Sequence, residues 1–425
     1  MMRWVWIGVL APSLLAGCPK KGAPTGTGEP SPTVASEGQA EGTASAQTSA
    51  PSAADRRQVT DAVAKLTIGT PEAARQARDQ LMKAAQRDPQ NALIHFNLGV
   101  AHEQLGALSD AERSFRQAVG LDPKLARAYL GLGLLLEKQG QSRRAVQEYR
   151  NGVSANEEDM DLRAALIGAL RRSGETQQAI AEAKTALAFN NKSLPVFNEL
   201  GLVYLDTGQL PLAQFVYQKA LSAVDGARTS ALIRSNYGWT FYRDAQPIKA
   251  RVQLEEAHRL DPKYLPALVY LSHLYIDDRN YEGALPLLEE AKRQEPDNYD
   301  ILLNLGIAYR GVGRHQEAKQ AYERALEVGG RPEPLMNLGI LYGDYLKDYP
   351  KALEAFRNYI SRGGAQKELA QSYIQGVERE QLRVQRQRER DEERKKREQE
   401  RLERERLLQE AGGSPPADGG PWGPQ

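Results

Sequence analysis

The sequence has almost no cysteine, no marked excess of either charge, and no recognisable catalytic motif. Its only cysteine is Cys18, so neither an internal disulfide framework nor a cysteine-rich metal site can form. Lysine and arginine number 56 against 55 aspartates and glutamates, a net charge of +1. That balance gives no basic face for nucleic acid or for an anionic membrane surface. The five histidines are His95, His102, His258, His273 and His315, and no two are spaced as His-x-x-x-His. The sequence also lacks a Gly-x-Ser-x-Gly elbow and a glycine-rich phosphate loop. Carboxylate pairs such as Glu157-Glu158 and Asp277-Asp278 fall between helical patterns, where solvated surface explains them. These absences argue against an enzyme, a metal, a cofactor, a small-molecule substrate or a nucleic-acid partner. Beyond the first residues no segment is apolar enough to span a bilayer.

The N-terminus carries an address. Arg3 precedes an apolar stretch from Trp4 to Leu15, the layout of a secretory signal over residues 1–17. Leu15-Ala16-Gly17-Cys18 then resembles the lipobox of bacterial lipoproteins, which implies a diacylglycerol on the Cys18 thiol as membrane anchor. Several acyl chains hold far more firmly than one, at roughly 0.8 kcal/mol per buried CH₂. Pro19-Lys20 lacks the aspartate that retains such proteins at the inner membrane, which favours an outer-membrane lipoprotein facing the periplasm. Residues 18–57 are Gly, Ser, Thr, Pro, Ala and Glu, with almost nothing to bury, and are expected to form a disordered tether.

The body repeats. Ala77, Ala111, Ala145, Ala179, Ala213, Ala250, Ala284, Ala318 and Ala352 are separated by seven intervals of 34 residues and one of 37. Around them recur a Leu-Gly pair, an aromatic and a second alanine, as in Leu305-Gly306, Tyr309, Ala318, Tyr322 and Ala325. Leu200-Gly201, Tyr204, Ala213, Tyr217 and Ala220 repeat the pattern, as do Leu98-Gly99, Ala111, Phe115, Ala118 and Pro123. This pattern is similar to that of tetratricopeptide-repeat (TPR) proteins over residues 58–363. The resemblance implies an all-α solenoid of about nine helix-turn-helix units, whose single units cannot bury their apolar face without stacking. Gly99, Gly133, Gly201, Gly238, Gly306 and Gly339 mark close helix approaches, and the alanines mark crossings too tight for a larger side chain. Asp122-Pro123, Asp261-Pro262 and Asp110 are expected to cap helices. Two irregularities stand out. The 37-residue interval carries Asp225-Gly226 between Ser222 and Ser230, and one unit has Ile167 in place of glycine and Ala183 in place of the aromatic.

The resemblance implies a peptide-binding groove lined by the first helix of each unit. In register, that groove receives Phe96, Leu130, Leu134, Asn198, Leu202, Trp239, Tyr242, Val269, Leu303, Ile307, Met336 and Ile340. Asn97, Asn236, Asn304 and Asn337 occupy one equivalent position, where such asparagines can hold the backbone of an extended peptide. The lysine–asparagine–arginine set that clamps a C-terminal carboxylate is absent from its register, with Phe96 and Val100 in two of its places. The mostly apolar lining suits a hydrophobic or amphipathic protein segment.

Residues 364–411 are helix-forming and, from Arg379 to Arg406, overwhelmingly charged. Asp391–Lys395, Glu392–Lys396, Glu393–Arg397 and Glu400–Arg404 are i,i+4 acid-before-base pairs. With no apolar seam, the expectation is a solvated single helix that acts as a strut. Residues 412–425 are Gly/Pro-rich and expected to be disordered. The plan of lipobox, tether and array resembles the TPR lipoproteins of myxobacterial gliding motility, and more distantly the pilotin lipoproteins of type IV pilus secretins. That resemblance implies a membrane-anchored scaffold whose partners are envelope proteins of a motility or secretion machine. An accessory role in export or in recruiting cell-wall enzymes is the alternative.

Overall fold

The computed structural model describes residues 53–410; Cys18, the expected tether up to residue 52 and residues 411–425 lie outside them, while residues 53–57, expected in the tether, already belong to the first helix. Among the described residues there is no strand, and none of the helices is long and apolar enough to cross a membrane. The helices fall into two bodies, one ending at Asp278 and the other starting at Arg279.

The first body opens with α1 (Ala53–Ile68) and α2 (Pro71–Arg87), then α3 (Ala92–Gln104), α4 (Leu108–Leu121), α5 (Ala126–Lys138) and α6 (Ser142–Ala155). It continues through α7 (Met160–Arg172), α8 (Thr176–Phe189), α9 (Leu194–Asp206) and α10 (Leu210–Ala223). Helices α11 (Ala231–Arg243), α12 (Pro247–Leu260) and α13 (Leu265–Asp277) complete it. Each odd helix from α1 to α11 pairs with the even helix that follows, and successive odd helices from α1 to α13 also pack on one another. The odd helices therefore form one layer and supply one face. The second body contains α14 (Tyr281–Gln294), α15 (Tyr299–Gly311), α16 (His315–Gly329), α17 (Glu333–Ile340), α18 (Tyr349–Ser361) and α19 (Lys367–Glu410).

The repeated alanines have the expected cause: all nine are fully buried. The repeated glycines make room for a ring. A Cβ on Gly99 would stand 2.5 Å from the Phe115 ring, and one on Gly339 2.6 Å from Phe356. Gly133, Gly201 and Gly306 are closed in the same way by the rings of Tyr149, Tyr217 and Tyr322. Bulk is thus divided unequally between the two helices of a unit, nothing on the first and an aromatic on the second. The Ile167/Ala183 unit inverts that division. Ile167 and Ala183 are both fully buried, so the branched chain fills from α7 the volume that elsewhere a ring fills from the even helix. This is an exchange of volume inside the core, the kind of swap cores tolerate best.

Each turn between paired helices needs one residue in the left-handed region, and Gly106, Gly140, Gly174, Gly208 and Gly313 supply it. In the same register Ala245, Arg279 and Lys347 adopt φ of 53°, 60° and 56° without being glycine. Each such residue costs on the order of 1 kcal/mol that glycine would not.

Several expectations need correction. Asp122 and Asp261 do not cap the next helix: α5 and α13 begin later, after Leu125 and Tyr264. Their carboxylates instead accept from the Lys124 and Lys263 amides inside the turn, at 2.9 and 3.0 Å. Asp110 lies within the first turn of α4, not before it. The 37-residue interval is taken up by a short 3₁₀ turn, Ala227–Thr229, behind Gly226 at φ 77°. In the second body α17 passes into a π-helix at Leu341–Tyr345, closed by Leu346 N–H to Leu341 C=O at 3.0 Å. The π turn absorbs one residue, which explains why Gly306 and Gly339 are 33 apart while Ala318 and Ala352 are 34 apart.

Helix α19 is not solvated throughout. Ala370 and Val377 are buried, and Tyr373 stacks on Phe356 of α18 at 5.3 Å between centroids. Its first turns therefore cover the end of the array, and the charged part runs free beyond them. Of the four expected ion pairs only Glu393–Arg397 closes, at 2.6 Å. Arg394 reaches towards Asp391 and Lys396 towards Glu400 instead.

Candidate functional site

The groove positions read from the repeat register separate into two sets. Leu130, Leu202, Tyr242 and Ile307 are partly exposed, and these alone of the sixteen side chains meet solvent to a useful extent. Phe96, Asn97, Leu134, Asn198, Asn236, Trp239, Val269, Leu303, Asn304, Met336, Asn337 and Ile340 are buried. Phe96, wholly inaccessible, packs on Phe115 at 5.8 Å between centroids. In the first body the reason lies in the odd-helix layer. Because neighbouring odd helices pack together, side chains aimed along that layer meet the adjacent helix rather than a ligand.

The asparagines are engaged within the fold. Asn236 Nδ2 donates to Asn198 Oδ1 at 2.8 Å, a buried amide pair that joins α11 to α9. Asn97 Nδ2 donates to the Leu93 carbonyl at 2.9 Å, and Asn337 Nδ2 to the Glu333 carbonyl at 3.3 Å. Buried amides must be hydrogen-bonded, and the Nδ2 groups of Asn97, Asn236 and Asn337 find their acceptors within the scaffold. Asn97, Asn236, Asn304 and Asn337, expected to hold a peptide backbone, are all buried.

The odd-helix face does carry an aromatic cluster in the first body. The Trp239 indole stacks nearly parallel on Tyr242 at 4.7 Å and on Tyr270 at 4.5 Å, with His273 at 5.8 Å. Trp239 is 6% exposed, whereas Tyr242, Tyr270 and His273 are half-buried. Trp239 is the buried platform, and the other three rings are partly exposed around it. The Tyr242 hydroxyl donates to Asp277 at 2.5 Å. Burial, then the nearby Asp206 charge, pushes the Tyr270 phenol up to about 12, so it stays protonated and able to donate. Tyr270 and His273 were not singled out from sequence, although their register, one unit after Asn236 and Trp239, was available.

A polar ladder borders this face. Glu103 pairs with Lys138, Glu137 with Arg172 (2.7 Å), Arg171 with Asp206 (2.7 Å), and Tyr242 with Asp277. All four pairs are 35 residues apart, so each links the end of one odd helix to the end of the next. Most such exposed pairs contribute little. Arg171 is different: its side chain is 4% exposed and also approaches Glu199 at 3.4 Å. The even helices present a separate apolar patch, with Leu212 and Phe215 on α10 and Ile248 and Val252 on α12, all exposed. Among the described residues no group of three or more His, Cys, Asp or Glu is arranged to hold a metal ion.

Helix pairs, a 34-residue period and glycine–ring packing define a repeat solenoid of the TPR class. Two TPR family models match the sequence, one over residues 49–126 and 130–193 and the other over 275–334. The chain carries tetratricopeptide repeats, a repeat class that serves protein–protein interaction, and its described residues fold as a TPR solenoid. It is 24% identical over 194 residues to the BBSome complex member BBS4 homolog of Drosophila melanogaster, covering 43% of this chain and 39% of that protein. The chain spans only 14–39% of the length of the curated relatives it matches. Among solved structures it is similar to yeast Tom70, with a TM-score of 0.51 at 13% identity, covering 77% of this chain and 69% of that one. It is also similar to Pseudomonas aeruginosa PilF, with a TM-score of 0.45 at 20% identity, covering 53% of this chain and 98% of that one. At these identities the likeness concerns the fold alone.

Proposed function

We propose that this chain is a lipid-anchored scaffold of a bacterial envelope, which holds a protein segment against the odd-helix face around Tyr242, Tyr270 and His273. The observation that carries the reading is the aromatic cluster. Three partly exposed rings share one buried indole on the face that TPR resemblance assigns to ligands, and aromatics dominate binding hot spots. Leu15-Ala16-Gly17-Cys18 supports the anchor, and Pro19-Lys20, with no aspartate after Cys18, supports the outer membrane. The overall plan supports a motility machine, with secretin assembly as the alternative.

The experiment is affinity capture of the tagged full-length protein from cross-linked envelopes. A Tyr242→Ala, His273→Ala variant should lose a partner that an Ile248→Ala, Val252→Ala variant retains. Cys18→Ser should move the protein to the soluble fraction after a high-salt wash. Retention of the partner by the first variant would refute the site. Continued membrane association of the Cys18→Ser protein would refute the anchor.

A further inference from the structure

The charged part of α19 is ordered in a way that net charge conceals. Arg379, Arg383, Arg386, Arg390, Arg394, Arg397, Arg401 and Arg404 recur at spacings of four and three residues inside one unbroken helix. At 3.6 residues per turn all eight fall within an arc of about 80° and form a stripe about 38 Å long. Every position of the stripe is arginine. The two lysines of this segment, Lys395 and Lys396, lie off it.

Acidic residues border the stripe on both sides, Glu380, Asp391, Glu398 and Glu405 along one edge and Glu389, Glu393 and Glu400 along the other. Pairs run from the stripe to both edges, Arg383 to Glu380 at 2.6 Å and Arg397 to Glu393 at 2.6 Å. The guanidiniums nonetheless stay open: the side chains of Arg383, Arg394, Arg397 and Arg401 are 68–78% exposed. Arg386, Arg390 and Arg404 are exposed and make no ion pair among the described residues.

We propose that this stripe docks an acidic α-helix of a partner protein, one whose own glutamates or aspartates recur at three- and four-residue spacing. Charge complementarity selects that occupant in three steps. A flat anionic bilayer, or the walls of a nucleic-acid groove, would embrace about half the helix circumference and meet both carboxylate borders. A narrow ridge of carboxylates meets the arginines alone. An extended acidic strand repeats its same-side charges at about 6.6–6.8 Å, against about 5.4 Å for a helical turn, and drifts out of register within a few turns. A helix keeps step along the whole stripe. Guanidinium forks suit carboxylates bidentately in a way ammonium groups do not, which accounts for arginine at every stripe position.

The test uses the full-length protein and two labelled synthetic helical peptides of equal composition, read by fluorescence anisotropy. One carries its glutamates as a stripe at three- and four-residue spacing, and the other spreads them around the helix. The striped peptide should bind about tenfold more tightly or better, and weaken as salt rises, as screening of exposed charges requires. An Arg386→Gln, Arg390→Gln, Arg394→Gln, Arg397→Gln variant should lose that binding. An Arg388→Gln, Lys395→Gln, Lys396→Gln, Arg406→Gln variant, with as many charges removed, should keep it. Should the first variant lose helix by circular dichroism, Arg→Lys at the same four positions keeps charge and helix, and is expected to bind several-fold more weakly. Equal binding of the two peptides would overturn the proposal, as would equal loss in the two glutamine variants or unchanged binding of the lysine variant. Tighter binding of duplex DNA than of the striped peptide, or of anionic vesicles by the Cys18→Ser protein, would overturn it as well.

Discussion

Replacing Tyr149 by alanine should destabilise the first body by about 3–5 kcal/mol, and Gly133→Ile should cost a comparable amount, yet the two together should cost less than either alone. Tyr149 is fully buried, and a Cβ on Gly133 would fall well inside van der Waals contact with its ring. Removing the ring leaves a cavity, and adding a branched chain opposite forces an overlap. The double variant reproduces the Ile167/Ala183 arrangement in the same register of the adjacent unit, where both residues are fully buried. Residues in direct contact couple by about 0.5–3 kcal/mol in ordinary cases. Here the cancellation should lie at or beyond the top of that range. Denaturant melts of the four proteins check it, and strictly additive losses would contradict the account of how bulk is shared between paired helices.

Trp239→Ala should cost about 3–5 kcal/mol, as truncation of a buried indole does. Its ring is stacked on both Tyr242 and Tyr270 and only 6% exposed, so the loss falls on packing between α11 and α13. Tyr242→Ala removes a partly exposed ring and one hydroxyl bond to Asp277, and should cost far less. Amide hydrogen exchange should show α11 and α13 opening in the first variant and almost unchanged in the second. Similar protection in both would mean that Trp239 is not the platform.

The sequence made some of this legible and concealed the rest for physical reasons. The 34-residue period, the buried alanines and the glycines of close helix approach were visible because they are local demands of two helices crossing closely, whereas the rings that fill the space beside those glycines were not. Even the π turn left a trace, in the 33-residue step from Gly306 to Gly339. Exposure was different. Register placed Asn198 and Asn236 on the ligand-facing side, but only the distance between α9 and α11 decides whether two amides meet each other or a peptide. The same holds for Phe96 and Met336, whose positions are right for a groove and whose neighbours close it. Asp122 and Asp261 misled because aspartate before proline serves an Asx turn as readily as a helix cap, and the helix begins only a few residues later. The arginine stripe could be read from spacing alone, but a search for apolar seams and i,i+4 pairs does not bring it out.

The central claim, that a partner protein lies on the odd-helix face over Tyr242, is tested most directly by site-specific photocross-linking in living cells. A photoreactive phenylalanine analogue is placed at Tyr242 and, in a second strain, at Ile248 on the exposed even-helix patch. The account predicts one discrete cross-linked protein from Tyr242, lost when His273 is replaced by alanine, and no such product from Ile248. A product from Ile248 with none from Tyr242 would contradict it.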